Sequence, residues 1–338
     1  MPRHLKVTGR RRRAAMIAAL ALVATGVLLK DREPAPAVRV PEAATIGTPP
    51  LYVDPQGAAA TYVHRLERAG RRADAAIIRR IADRPAATWF TDSAPGYADR
   101  ARRLVVAATQ AGRTPVLALY YIPQRDCSNH SRGGASSADA YKRWVSALTL
   151  AMRNTRALVI LEPDAVAHTV RGCLKGKAAQ QRLALLSWAV ATLRTQPGVR
   201  VYLDAGNPGW VPAARIAPAL RSAGAMRAHG LALNVANFQT TTDNLGYGNE
   251  LSRLLGGRHF VVDTSRNGAG PLKRGSAERR WCNPPGRRLG AAPTMNTGHP
   301  LVDAYLWVKR PGESDGACGA GAPRAGQWYP AYAFALAR

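Results

Sequence analysis

Short apolar runs that stop abruptly at a polar residue or a proline recur along this chain. Between them lie longer segments whose apolar positions repeat at helical spacing. Leu158-Val159-Ile160-Leu161 is the clearest run: with no polar face, it reads as a strand buried on both sides. Pro163 ends it, having no N–H to donate and a fixed φ. Similar runs stand at 87–90, 114–122, 199–203, 230–235, 259–262 and 301–309. Helical periodicity fills 100–111, 138–153, 180–193, 212–225 and 245–255. The stretch 51–85 is also helical, with Asp83-Arg84-Pro85 as its stop, and a segment at 328–336 closes the chain. Strands alternating with helices predict a parallel sheet covered on both faces. About seven units without a second-domain break predict an α/β fold, a distorted parallel (β/α) barrel, TIM-like with about seven strands in a single domain.

The ends of the apolar runs carry the chemistry. Asp126, Asp164, Asp204 and Asp315 each follow a run's carboxyl end within a few residues, and Trp89, Trp210 and Trp281 fall at similar places. In a parallel barrel these ends converge on one mouth, where active sites are built. Carboxylates beside tryptophans suit a sugar cleft, because aromatic rings stack on pyranose faces and carboxyls do acid and base work. The structural alternative is core packing for the tryptophans, with Glu162 capping a helix and Asp164 solvated.

Residues 1–33 have a basic start, an apolar stretch at 14–29 and then Lys30-Asp31-Arg32, which reads as a signal peptide or an uncleaved signal anchor. The protein is therefore expected outside the cell or held on the outer face of its membrane. Residues 34–50 are Pro/Ala-rich and read as a linker, leaving 51–338 as the catalytic domain. Net charge is +27; residues 1–33 account for eight Lys/Arg against Asp31 and Glu33, so the folded part remains strongly basic. The arginines are scattered without interleaved aromatics, so no nucleic acid partner is expected. Cys127, Cys173, Cys282 and Cys318 form no C-x-x-C pair and the histidines lack ligand spacing, so no metal or other cofactor is expected. Four thiols allow three pairings; the neighbour pairing closes two moderate loops and is preferred for an oxidising compartment.

The segments IPQRDCSNHSRGGA, VILEPD, VYLDAGNPGW, LNVANF, VDTSRNGAGP, WCNPPGRRLG and WVKRPGESDG resemble, in the same order, the signature segments of glycoside hydrolase family 6. That family comprises inverting β-1,4-glucanases, namely bacterial endoglucanases and fungal cellobiohydrolases. The resemblance implies a distorted barrel acting on β-1,4-glucan, with Asp164 as general acid and Asp126 keeping the acid's pKa raised. Asp315 would be the base, directly or through a water chain, and Asp204 would line the cleft. Lys309, Glu313, Trp89, Tyr120, Trp210, Asn237 and Trp281 match substrate-binding positions, and Ser131 matches a serine that handles water or sugar. Arg125 and Lys309 would offset charge beside the carboxylates. The family's disulfides would be Cys127–Cys173 and Cys282–Cys318.

Asn207 departs from the His that many members carry after YLDAG; it can hydrogen-bond a hydroxyl but cannot carry charge. The short loop from Glu313 to Trp328 and the lack of a carbohydrate-binding module suggest endo attack on soluble or amorphous glucan by a monomer. Inversion requires room for a water between acid and base, which sets their separation at roughly 6.5–9.5 Å. Two other readings compete: a catalytically idle glycan-binding barrel, and a basic protein binding nucleic acid or the cell envelope. His168 reads as a satisfied loop histidine, and Asn129-His130-Ser131 is a glycosylation sequon by pattern only.

Overall fold

The computed structural model describes residues 50–128, 131–319 and 321–338. The predicted signal or anchor and almost all of the predicted linker lie outside them, as do Asn129 and His130. Seven parallel strands form one sheet in chain order: β1 (Thr88–Phe90), β2 (Val116–Leu119), β3 (Ala157–Leu161), β4 (Val199–Asp204), β5 (Gly230–Leu233), β6 (His259–Asp263) and β7 (Val302–Leu306). Strand order equal to chain order makes every crossover connect immediate neighbours. The sheet curls until its two edges meet, where the Ala87 N–H donates to the Trp307 carbonyl and the Trp89 indole to the Val308 carbonyl. This is the expected distorted (β/α) barrel.

Two apolar layers follow from the strand alternation. Ala118, Leu158, Ile160, Tyr202, Ala232, Val261, Ala304 and Leu306 come from six strands and fill the inside. Leu117, Leu119, Val159, Leu161, Val201, Leu203, Leu231 and Val262 face outward onto the helical layer. That layer contains α3 (Tyr97–Gln110), α4 (Ala138–Ala151), α6 (Gly176–Leu193), α7 (Ala213–Ser222) and α8 (Thr241–Leu254). At the strands' amino ends the interior turns polar. Asp303 accepts from Arg200 (2.9 Å) and the Tyr202 hydroxyl (2.7 Å), and lies 2.8 Å from His259 Nδ1.

The helical stretch at 51–85 is two helices, α1 (Ala58–Arg68) and α2 (Arg72–Ala82). Gly70 breaks it with φ +72°, while the Gly70 N–H donates to Glu67 O and the Arg71 N–H to Leu66 O. Those bonds make a Schellman cap, which uses a left-handed glycine to satisfy carbonyls at a helix end. Both helices pack with α10 (Pro330–Ala337) over Trp307, covering the seam of the barrel. The runs 114–122 and 301–309 yield shorter strands than predicted, because their carboxyl ends leave the ladder for side-chain carboxylates. Two short helices, α5 (Ala165–Val170) and α9 (Ala277–Trp281), carry no clear periodicity in the sequence.

Within α8, Gly248 gives its space to the buried Phe260 ring of β6: a Cβ there would lie 2.4 Å from ring carbons. Alanine would gain about 1 kcal/mol of helix propensity, but overpacking a buried ring costs about 1–3 kcal/mol. Gly248→Ala is therefore expected to be neutral to destabilising, by up to about 2 kcal/mol. Chemical denaturation measures it, and a stabilised variant would contradict this packing.

Candidate active site

The carboxyl ends of the strands diverge around a cavity of about 1460 Å³. Where strands part, their N–H groups lose ladder partners and need other acceptors. Buried carboxylates provide them. Glu162, at the end of β3, is fully buried and accepts the N–H groups of Tyr121 and Ile122 beyond β2 (3.0 Å each). Asp204, the last residue of β4, accepts from Asp164 N–H and Gly206 N–H (3.1 Å each). Asp263, the last of β6, takes four, from Ala236, Ser265, Val308 and Lys309. Glu162 is thus neither a helix cap nor solvated.

These turns hold side-chain-bearing residues at positive φ: Asp126 (57°), Cys127 (45°), Glu162 (48°), Asp164 (70°), Ala236 (55°) and Asn283 (44°). Such conformations cost of order 1–3 kcal/mol each and persist only when the surroundings impose them. Asp164, before α5, is aimed into the cavity by this turn, and Asp126 and Asp315 line the same space. Asp204 does not line it. Asp204 is 1 % exposed and lies beneath the cleft, because its carboxylate is committed to the Asp164 and Gly206 amides.

Burial is the main cause holding the Asp164 carboxyl well above the usual carboxylate range, and the negative charges of Asp204 and Asp126 add to it. Burial also raises Asp204, partly offset by the amides that it accepts, and pushes Glu162 to about 7. Asp315 behaves oppositely. Burial alone would raise it too, but Arg266 (2.8 Å) and Lys309 (3.3 Å) outweigh that and hold it below its ordinary value. Arg266 is completely buried, lies over the Phe238 ring at 4.4 Å and donates also to the Ala236 carbonyl. Asn283 completes the clamp: its N–H donates to Asp315 Oδ2 and its side-chain carbonyl accepts the Asp315 N–H (2.9 Å each). The disulfide Cys282–Cys318 fastens this loop, and Cys127–Cys173 joins the Asp126 loop to the end of α5; both are the pairings expected.

Every other residue singled out as substrate-binding lines the cavity. Trp89 meets Tyr120 edge-on at 5.5 Å. Trp210 meets His168 at 5.0 Å, and Trp281, at the end of α9 after β6, is exposed. Asn207 accepts the Gly209 N–H, Asn237 that of Phe238, and the Ser131 N–H donates to Asp126 (2.7 Å). Glu313 pairs with Arg310 (2.8 Å), and the Lys309 ammonium also donates to Ser314 O. Arg125, expected to offset charge, fastens backbone as well: its guanidinium donates to Ser131, Thr91 and Tyr120 carbonyls. His168 belongs to α5 rather than a loop, and its Nδ1 is buried without a hydrogen-bond partner among the described residues. Arg266, Asn283 and Arg182, which holds the Pro123 and Gln124 carbonyls from α6, escaped the sequence reading. Among the described residues no three His, Cys, Asp or Glu are grouped to hold a metal, and no helix is long and apolar enough to cross a membrane.

Residues 47–338 match the family described as glycosyl hydrolases family 6. Endoglucanase A of Cellulomonas fimi is 41% identical over 291 residues, which span 85% of this chain and 61% of that relative. Endoglucanase 1 of Streptomyces halstedii is 40% identical over 85% of this chain and 88% of its own length. The endoglucanase Cel6 from Mycobacterium tuberculosis, solved with methyl-cellobiosyl-4-deoxy-4-thio-β-D-cellobioside, superposes with TM-score 0.80 at 41% identity, covering 86% of this chain and 97% of that one. Cellobiohydrolase II from Humicola insolens, solved with glucose and cellotetraose, superposes with TM-score 0.71 at 27% identity over 86% and 97%.

The buried carboxyls also set a pH dependence of stability. A carboxyl whose folded pKa lies above its unfolded value binds more protons folded than unfolded between the two, so stability falls as pH rises through that window. Glu162, Asp164 and Asp204 act in this sense from about pH 4 upward; Asp315 opposes them below that, and His168 and His229, lowered by burial, oppose them up to about pH 6.5, so that the three carboxyls dominate above it. The urea midpoint is expected to be higher at pH 6.5 than at pH 8, a range above the histidine window, with the difference reduced in Asp204→Asn. Equal midpoints in the native protein would contradict the assignment.

Proposed function

Because the chain belongs to glycosyl hydrolases family 6, we propose that it is a secreted, endo-acting cellulase that cleaves β-1,4-glucan with inversion. The observation that carries this reading is the opposite electrostatic treatment of two carboxyls facing one cleft: Asp164 is held well above the usual carboxylate range and Asp315 below its ordinary value. Two titratable groups whose surroundings push their pKa values apart mark an acid and a base. Asp164 gives its proton to the glycosidic oxygen as the bond breaks. Asp126 supports it by its charge, and Asp204 by positioning its backbone and disfavouring its ionised form. Asp315 has a lowered pKa and is a weak proton acceptor. It therefore acts through a second water: the attacking water on the far face of the sugar bonds to the anomeric carbon and passes its proton along that water to Asp315, as Asp164's proton leaves with the departing glycosidic oxygen.

Trp89, Trp210 and Trp281 offer stacking faces along the cleft, and Asn207 and Asn237 offer hydrogen bonds to hydroxyls. Endo action is supported by the loop from Glu313 to Trp328. It is tied back on itself by Ser314 N–H to Gln327 O (2.8 Å) and Gly326 N–H to Ser314 O (2.9 Å). The two disulfides accord with an oxidising compartment.

The mechanism is tested by proton NMR of the anomeric signals during early hydrolysis of a soluble β-1,4-glucan. The α-anomer is expected first, and early β-anomer would overturn inversion. Asp164→Asn is expected to lower kcat on natural glucans by about 10²–10⁴-fold while preserving folding and binding. Near-normal turnover in that variant would remove Asp164 from the acid role. Asp126→Asn is expected to weaken activity and move the pH profile's limb assigned to the acid downward, since one of the charges raising Asp164 is lost.

A further inference from the structure

The cleft carries charge that this reaction does not use. Lys and Arg supply eight of the residues lining it, and Asp and Glu supply four. Three of the eight are engaged inside the protein: Lys309 with Asp315, Arg310 with Glu313, and Arg125 with three carbonyls. The other five, Arg132, Arg171, Lys273, Arg280 and Arg324, are exposed and have no carboxylate partner among the described residues. The cleft's own four acids are outnumbered: Glu313 is paired with Arg310 and Asp315 with Arg266 and Lys309, which leaves Asp126 and Asp164 against the five cations.

The five also come from different parts of the mouth. Arg132 follows β2, Arg171 ends α5 after β3, Lys273 and Arg280 follow β6, and Arg324 follows β7. They surround the substrate path rather than forming one surface stripe. Like charges arrayed around a cleft focus its field and draw in a polymer of opposite sign. A neutral glucan would leave them without a counter-charge. Guanidinium forks match carboxylate and phosphate oxygens alike.

We infer that the glucan handled by this cleft carries anionic substituents, carboxylate or phosphate, on a β-1,4-linked backbone, and that the five rim cations hold those groups. The inference rests on the glucanase reading given above. The aromatic and acid–base residues act on the sugar chain itself, and the rim reads its charge.

The test compares kcat/KM on carboxymethyl cellulose, phosphorylated cellulose and neutral hydroxyethyl cellulose, each at low and high salt. The anionic polymers are expected to be favoured about tenfold at low salt, mainly through KM, with the advantage lost as salt screens the rim. The neutral polymer is expected to be insensitive to salt. In the double variant Arg171→Gln/Lys273→Gln the anionic-to-neutral ratio is expected to fall several-fold, and whichever anionic polymer shows the larger fall identifies the substituent. Cleavage of neutral and anionic polymers with equal kcat/KM at low salt, or an unchanged ratio in the variant, would overturn the inference while leaving the glucanase reading intact. No cleavage of any of the three would overturn that reading, and this inference with it.

Discussion

The barrel mouth depends on buried carboxylates accepting backbone N–H groups that the sheet can no longer pair. A closed parallel sheet must splay at its carboxyl ends if it is to leave room for a ligand, and splaying orphans amides. Glu162 ties β3 to the chain leaving β2, Asp204 ties the turn after β3 to β4, and Asp263 ties the ends of β5, β6 and β7. Each stitch replaces ladder hydrogen bonds with bonds to a carboxyl group, so these amides are satisfied while the mouth stays open. The positive φ values at Glu162, Asp164 and Ala236 are held by the same stitches.

That architecture prepares the chemistry. The groups that close the hydrogen-bond account are buried carboxyls, and burial raises the pKa of every one of them. Asp164, suspended by its own N–H from Asp204, inherits both the desolvation and the neighbouring charge, and so its carboxyl is held well above the usual range. Asp315 sits in a comparably dry place, and only two cations reverse the sign. Burying Arg266 is costly in itself; the Asp315 pair and the Phe238 face beneath it offset that cost. One fold thus delivers an acid and an anion from the same residue type.

The strands were legible because they are short, apolar on both faces and punctuated by Pro163, Asp204 or Asp263. The converging carboxylates, the tryptophans and the cysteine pairs were legible for the same reason: each follows a strand end or closes a loop. The residues that hold them were not. Glu162 read as a helix cap, because nothing in LEPD says that it turns back to the Tyr121 amide. Arg266 and Asn283 act on Asp315 across 49 and 32 residues of sequence, a distance over which spacing carries no signal. Asp204 was recognised as important but misplaced into the cleft wall, since a strand-end aspartate reads alike whether it faces substrate or a neighbour's backbone. The break at Gly70 was readable as a left-handed cap and was overridden by the strong helical periodicity on both sides.

The protonated state of Asp164 is the claim on which the rest converges, and a carboxyl titration of the intact protein by carbon NMR, with Asp164→Asn to assign the resonance, measures it directly. The account predicts that this resonance titrates well above the usual carboxylate range and moves down when Asp126 is replaced by Asn. A titration near the ordinary aspartate value of about 4, unaffected by Asp126, would contradict it.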